Sequence, residues 1–293
     1  RPWLALHPRW TTTESQALLH RIPLAAPTML APLPNGSAAT DVSRHGQPAQ
    51  VWLPTSGTTG RPKIVQLSWP GLVWAAHTSL AALDLPVGAG WLLALPVCHI
   101  AGLQVAMRAG LGGGRLVLVP AQNAGAQLQA IVRYRLQAAS LVPTQLSRWL
   151  EADPGLLQRA LHTLRVVLVG GAAADAALLV RAQAAGIPLR TTYAMTEASA
   201  TLALTDPPGP ERQGQNQPPP QSGLHLAGRP LPGVEIRATD THEISALWVR
   251  SPGLLLRYVD DPSPERPAGW WPTGDRGWLD PNTGHLWLAA RHA

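Results

Sequence analysis

The chain has 293 residues, of which 45% are hydrophobic and 14% are charged, and its formal net charge is +6. This composition excludes intrinsic disorder, and the length allows one large domain or two modest ones. The positive charge comes from scattered arginines, which argues against nucleic acid as a partner, and the one cysteine, Cys98, excludes a disulfide framework and a cysteine-based zinc site.

Short apolar segments alternate with helical patterns through the first two thirds of the chain. The predicted strands are 51–54, 91–96, 115–119, 138–142, 165–169 and 189–193, and the predicted helices are 14–21, 70–83, 102–111, 126–136, 144–152 and 175–185. This alternation predicts an α/β fold with a mostly parallel sheet flanked by helices. The most apolar stretch, 91–107, is interrupted by Pro96 and His99, so it predicts a buried strand and helix and no membrane span.

The pattern changes after residue 205. Residues 206–223 include six prolines and several glutamines and predict a long exposed loop. Short strand-like segments follow at 234–238, 246–249, 254–258, 277–279 and 285–289. We therefore expect an α/β region over 1–205, a loop over 206–223 and a β-rich, barrel-like subdomain over 224–293.

A glycine- and threonine-rich loop follows the first of these strands. Residues 55–63 read Thr-Ser-Gly-Thr-Thr-Gly-Arg-Pro-Lys and contain the only lysine of the chain, Lys63. Its glycines permit close backbone approach to a ligand, and its hydroxyls, N–H groups and ammonium suit phosphate oxygens. The spacing excludes a Walker-type loop. Composition alone leaves an ordinary surface turn open.

The loop resembles the phosphate loop of the adenylate-forming superfamily of AMP-binding enzymes, which includes the acyl- and aryl-CoA synthetases. Further segments are similar to motifs of that family and occur in the family's order. They are the turn 170–172 (Gly-Gly-Ala), the segment 192–197 (Thr-Tyr-Ala-Met-Thr-Glu), the turn 228–233 and the triplet 273–275 (Thr-Gly-Asp). The resemblance covers residues 54–291, and five motifs in order are far more specific than one.

The resemblance implies ATP-dependent activation of a carboxylic acid to an acyl-adenylate, followed by transfer to CoA, with Mg²⁺ as cofactor. Its implied catalytic residues are Lys63, His99, Thr196 and Glu197, with Glu197 also holding Mg²⁺. Its implied nucleotide contacts are Thr55, Ser56, Gly57, Thr58, Thr59 and Gly60 for phosphate, Gly170, Gly171, Ala172 and Tyr193 for adenine, and Asp275 and Arg291 for ribose.

The segments 95–103 and 141–146 look most like those of o-succinylbenzoate–CoA ligases of menaquinone or phylloquinone synthesis. That acid is a dicarboxylate, so the resemblance assigns His99 and Arg108 to the substrate, with Arg108 pairing the carboxylate that is not activated. Other interpretations remain open. His99 could be a core histidine, Arg108 a solvated charge on a helix face, and Cys98 is better explained as a small core residue than as a nucleophile.

The sequence departs from the family pattern in places. Ala194 stands where the family has Gly, and 245–246 is Ser-Ala where the family usually has Gly-Glu. The chain ends at Ala293, near the family's hinge, so we expect it to lack the small C-terminal domain that carries a second lysine. On that expectation the polypeptide forms adenylate slowly and almost no thioester. The remaining alternatives are another aryl- or acyl-CoA ligase, or a nucleotide-binding member without turnover.

A reducing, cytoplasmic setting is expected from the single cysteine, and no signal peptide is predicted at the first residues. The expected partners are the small molecules themselves, namely a carboxylic acid, ATP and CoA. The sequence leaves a homo-oligomer open.

Overall fold

A computed structural model describes residues 3–4, 50–55, 63–207, 223–240, 243–259 and 265–289. The predicted helix at 14–21, loop residues 56–62, most of the predicted loop 206–223, and Arg291 lie outside these ranges. The site residues Ser56, Gly57, Thr58, Thr59 and Gly60 belong to that group.

The glycine- and threonine-rich loop connects two strands of an antiparallel hairpin. Strand β2 (Gln50–Thr55) pairs with β3 (Lys63–Ser68), and Thr55 lies opposite Lys63 in the register. Among the described residues, β1 (Trp3–Leu4) and β13 (Arg257–Tyr258) complete a four-stranded sheet in the order β1-β2-β3-β13.

The α/β region alternates strands and helices in the predicted way. Its helices are α1 (Trp69–Ala81), α2 (Ile100–Leu111), α3 (Ala124–Tyr134), α4 (Pro143–Leu150), α5 (Pro154–Leu161) and α6 (Ala176–Ala184). Its strands are β4 (Trp91–Leu93), β5 (Leu116–Leu118), β6 (Ala138–Leu141), β7 (Val166–Val169) and β8 (Leu189–Met195). These strands are parallel in the order β5-β4-β6-β7-β8, so their carboxyl ends meet at one edge.

The remaining strands extend this sheet with antiparallel pairs. They are β9 (Ala200–Leu204), β10 (Leu224–Pro230), β11 (Glu235–Ala238), β12 (Ser245–Arg250), β14 (Trp271–Leu279) and β15 (Leu286–Ala289). Within the described ranges, eleven strands form one sheet in the order β11-β12-β14-β15-β10-β9-β8-β7-β6-β4-β5. The expected α/β fold with a β-rich part is confirmed, and the two parts share the sheet through β9 and β10.

Apolar side chains cover both faces of the parallel part because they alternate along its strands. Trp91 and Leu93 pack into one cluster with helices α1 and α2, whereas Leu92 packs into another with helices α3 to α6. Val166 and Leu168 belong to the first cluster, and Val167 and Val169 belong to the second. No helix among the described residues is long and apolar enough to cross a membrane.

Among the described strands and α-helices, five were not predicted, namely β1, β3, β9, β10 and α5. The predicted strand 254–258 is wrong except at Arg257 and Tyr258. The backbone N–H groups of Leu255 and Leu256 instead donate to the carbonyls of Glu197 and Gln66. Those hydrogen bonds hold this segment against the hairpin and against the turn that follows β8.

Candidate functional site

A cavity of about 1930 Å³ opens at the edge where the parallel strands end. Segments that follow β4, β6, β7 and β8 line it on one side, and strand β14 lines it on the other. The sequence-predicted residues in its lining are Thr55, Lys63, His99, Arg108, Gly170, Gly171, Thr196, Glu197 and Asp275. Segments far apart in the sequence therefore meet at one opening, as ligand sites of open α/β sheets commonly do.

Lys63 begins β3 directly after the glycine- and threonine-rich loop. Its ammonium lies 4.8 Å from the ring centroid of Tyr258, within the range of a cation–π interaction. Since the register places Thr55 opposite Lys63, the hairpin presents both ends of the loop at the cavity.

Glu197 lies in a one-turn 3₁₀ helix, Thr196–Ala198, that connects β8 to β9. The hydroxyl of Tyr258 donates a hydrogen bond of 3.0 Å to its Oε1, and Leu255 N–H donates to its backbone oxygen at 2.7 Å. The following residues, Ser199 and Ala200, have φ values of 58° and 111°. Such conformations are costly for residues other than glycine, so contacts around the turn must hold it.

Glu197 is the residue of this site that could hold Mg²⁺, with phosphate oxygens of a nucleotide as further ligands. The Glu197 carboxylate is a hard oxygen donor of the kind that Mg²⁺ prefers. In the part of the chain that the structure describes, no group of three or more His, Cys, Asp or Glu side chains could hold a metal ion. Because Mg²⁺ is usually bound by one or two carboxylates together with substrate phosphates, the donor set fits that mode.

The residues predicted for adenine and ribose that line the cavity lie in two places, with Gly170 and Gly171 after β7 and Asp275 on β14. A Cβ at Gly170 would lie 2.1 Å from Thr192 Oγ1, so a larger residue there would require the Thr192 side chain to shift. Asp275 accepts a 2.8 Å hydrogen bond from the Tyr193 hydroxyl, and its N–H donates to Thr273 Oγ1 at 3.1 Å. The Tyr193 ring is buried in the core and not in the cavity lining, and the exposed Ala172 is also outside the lining.

His225 lies near Asp275. Burial lowers the pKa of its imidazole, and the negative charge of Asp275 partly opposes that effect. The imidazole therefore favours its neutral form more than an exposed histidine would.

Arg108 is the most unusual residue of the site. Its side chain lies in the last turn of α2 and lines the cavity, yet the residue is only 3% exposed. Nε and Nη1 are buried and have no hydrogen-bond partner among the described residues. The guanidinium lies 5.3 Å from the Trp91 ring centroid, and burial lowers its pKa to about 10. The alternative of a solvated charge on a helix face is therefore wrong.

His99 and Cys98 precede the same helix. His99 is exposed at the N-terminus of α2 and lines the cavity, so the alternative of a core histidine is wrong. Cys98 is 2% exposed, and burial raises the pKa of its thiol. That environment suits the expected small core residue and disfavours a nucleophilic thiolate.

Sequence reasoning missed two residues of this site, Tyr258 and Trp91. Neither belongs to a motif that indicates chemistry, and both were predicted only as apolar strand residues. Only the folded chain brings Tyr258 to Glu197 and Lys63, and Trp91 to Arg108.

Comparisons with known proteins identify the family of this chain and related solved structures. The sequence model of the family described as AMP-binding enzyme matches residues 14–259. The 2-succinylbenzoate–CoA ligase of Lactococcus lactis is 32% identical over 248 residues, which cover 81% of this chain and 49% of that protein. The indoleacetate–CoA ligase of Aromatoleum aromaticum is 31% identical over 254 residues, with coverages of 81% and 46%.

A solved structure of o-succinylbenzoate CoA synthetase from Bacillus subtilis, in complex with ATP and magnesium ion, matches with a TM-score of 0.68 at 28% identity. The match covers 81% of this chain and 49% of the chain in that structure. The chain thus spans about half the length of the curated relatives it matches.

Proposed function

The chain belongs to the AMP-binding enzyme family, and from that premise we propose that it activates an aryl dicarboxylic acid with ATP for transfer to CoA. The proposed acid is o-succinylbenzoate, which makes the protein an AMP-forming acid–thiol ligase of menaquinone or phylloquinone synthesis. Several relatives that are 30% to 32% identical to this chain are named 2-succinylbenzoate–CoA ligase, which supports the proposal. The single cysteine favours a cytoplasmic setting for this activity.

The single observation that carries the proposal is the buried guanidinium of Arg108, whose Nε and Nη1 have no hydrogen-bond partner among the described residues, in the cavity that Lys63 and Glu197 also line. A buried cation is unfavourable until an anion pairs with it, so this site is built to receive an anionic group. A planar carboxylate matches a guanidinium with two parallel hydrogen bonds. An acid with two carboxylates can pair one with Arg108 and present the other to ATP.

In the proposed reaction, an oxygen of the free carboxylate attacks the α-phosphorus of ATP. The bond from that phosphorus to the oxygen that bridges to the β-phosphorus breaks, and pyrophosphate leaves with the electron pair. Lys63 would offset phosphate charge with its ammonium, and Asp275 would accept hydrogen bonds from ribose hydroxyls. Glu197 would hold Mg²⁺, which supplies further charge neutralisation at the phosphates. The thiolate of CoA then attacks the acyl carbon and displaces AMP.

A second candidate is an aryl-CoA ligase for an acid with one carboxylate, which the similarity to an indoleacetate–CoA ligase favours. Such a substrate would leave the guanidinium of Arg108 unpaired. A third candidate, a nucleotide-binding protein without turnover, conflicts with the presence of Lys63, Glu197 and Asp275 in one cavity.

Pyrophosphate exchange with a panel of aryl acids tests the proposal. We expect exchange with o-succinylbenzoate and little with indoleacetate. Arg108→Ala should raise KM for the dicarboxylate about 10- to 100-fold, because it removes charge-assisted hydrogen bonds, and should leave KM for ATP unchanged. Arg159→Ala is the matched control, since Arg159 is exposed on α5.

Two results would contradict this assignment. Equal effects of Arg108→Ala on both KM values would show that Arg108 does not bind the acid. Equal exchange with acids that carry one or two carboxylates would favour the second candidate, and no exchange with any acid would favour the third.

A further inference from the structure

Tyr258 contacts two proposed catalytic residues from different segments. Its hydroxyl donates to Glu197 Oε1 at 3.0 Å, and its ring centroid lies 4.8 Å from the ammonium of Lys63. Tyr258 is largely buried and belongs to the cavity lining. Neither contact is local, because Tyr258 is 61 residues from Glu197.

The fold fixes the ring in this place. Tyr258 pairs with Val65 in the β13–β3 ladder, and the next residue, Val259, donates to Ile64 O at 2.8 Å. Trp271 packs against the ring edge to face, with centroids 5.7 Å apart and an interplanar angle of 63°. The ring is therefore held from its backbone and from its side, and it has little freedom to leave Lys63 or Glu197.

We infer that Tyr258 is a positioning residue for the nucleotide, an inference that rests on the proposed function. Its hydroxyl holds the Glu197 carboxylate in the orientation that receives Mg²⁺, and its ring holds the Lys63 ammonium toward the phosphates.

A phenol suits this role better than a charged residue would. An arginine beside Glu197 would neutralise the carboxylate, and a carboxylate beside Lys63 would neutralise the ammonium. A neutral hydroxyl orients the carboxylate by donating one hydrogen bond, and the ring face attracts the ammonium without pairing its charge. Neither contact of Tyr258 therefore neutralises the charge of the group that it positions.

Two substitutions separate the two contacts. Tyr258→Phe keeps the ring over Lys63 and removes the hydroxyl, whereas Tyr258→Leu removes both. The matched control is Tyr134→Phe, because Tyr134 lies at the end of α3, outside the cavity lining. Calorimetry measures ATP affinity of each protein in magnesium and again in EDTA, and thermal melting verifies that each variant folds.

Tyr258→Phe should weaken ATP binding about tenfold in magnesium and leave it unchanged in EDTA, as expected for loss of a group that orients a metal ligand. Tyr258→Leu should also weaken binding in EDTA, because Lys63 loses its support. Tyr134→Phe should match the wild type in both conditions. In a Glu197→Gln background, Tyr258→Phe should have no further effect on the magnesium dependence, because both changes act on one ligand.

Three results would overturn the inference. The first is an unchanged magnesium dependence in Tyr258→Phe, the second is equal EDTA affinities for the Phe and Leu variants, and the third is additivity with Glu197→Gln. If the wild type itself binds ATP equally with and without magnesium, the proposed function fails instead, so the two failures are distinguishable.

Discussion

At the residue scale, Arg108 is decisive because its charge is buried while its Nε and Nη1 have no hydrogen-bond partner in the described part of the chain. Desolvation disfavours a charged group, and the high intrinsic pKa of arginine tolerates this cost, since a pKa of about 10 still leaves it charged at neutral pH. The Trp91 ring face supplies some compensation. Arginine is therefore the residue type that stays charged in this buried site before a substrate binds.

Replacing Arg108 by lysine tests that argument through pH. Burial lowers the arginine pKa from its ordinary value to about 10, and the same burial would lower a lysine pKa from ~10.4 to roughly 8. The charged form is lost as pH rises through the lowered pKa. KM for the dicarboxylate in Arg108→Lys should therefore rise steeply above pH ~8, while the wild-type KM stays flat to near pH ~10.

Pyrophosphate exchange between pH ~7 and ~9.5 measures both profiles, with KM for ATP as the internal control. Parallel profiles for the two proteins would show that burial does not govern this cation.

At the element scale, helix α2 connects the acid side of the cavity to the turn that holds Glu197. Its side chain Gln104 is fully buried one turn before Arg108 and donates to Ser199 O at 2.9 Å and to Leu72 O at 3.2 Å. Ser199 in turn donates from Oγ to Gly253 O at 2.7 Å. These bonds hold the positive-φ residues that directly follow the Glu197 turn.

Gln104→Leu keeps a similar volume and removes the donor to the carbonyl oxygen of the buried Ser199, at a cost of about 1–3 kcal/mol in unfolding free energy. Because the change loosens the Glu197 turn and also α2, KM for the acid and KM for MgATP should rise together, unlike in Arg108→Ala. Ser79→Ala is the control, since Ser79 is a buried polar residue of α1 that bonds only within its helix. A loss of stability with both KM values unchanged would reduce Gln104 to a packing role.

The sequence predicted most helices and parallel strands because their apolar patterns are long and end at glycine, proline or polar residues. It missed β3 because Lys63–Ser68 alternates weakly and follows a loop whose extent the pattern does not mark. It also predicted strand structure at 254–256, where the Leu255 N–H instead donates to Glu197 O. The spacing of apolar residues does not show which segment a predicted strand would pair with.

For the candidate site, too, the sequence predicted residues that belong to contiguous motifs and missed residues that depend on contacts between distant segments. Residues in contiguous motifs, such as Lys63, Gly170, Glu197 and Asp275, were predicted, and the cavity brings them together. Tyr258 and Trp91 act through contacts between distant segments, so no local pattern could reveal them. The burial of Arg108 was equally invisible, because a sequence pattern does not distinguish an arginine that points into a cavity from one in solvent.

At the scale of the whole molecule, the β-rich part shares one sheet with the α/β part. Strand β10 pairs with β9 on one side and with β15 on the other, and one apolar cluster includes side chains from both parts. Asp275 on β14 meets Tyr193 on β8 across the same region. We therefore propose that the α/β and β-rich regions unfold as one cooperative unit.

Gly228 on β10 tests this proposal at the junction. Its φ is +98°, and a Cβ there would lie 2.1 Å from the backbone carbon of Leu204, so alanine must push β10 away from β9. Gly284 is the matched control, since its φ is +70° and a Cβ there meets nothing within 4 Å. Gly284→Ala should cost only the ~1–2 kcal/mol of a left-handed alanine, whereas Gly228→Ala adds roughly 1–3 kcal/mol or more for overpacking.

Scanning calorimetry should show a single transition in both variants, with the larger fall in Tm for Gly228→Ala. Two separate transitions in Gly228→Ala would contradict a single unit, and equal shifts in the two variants would contradict the close approach of β10 to β9.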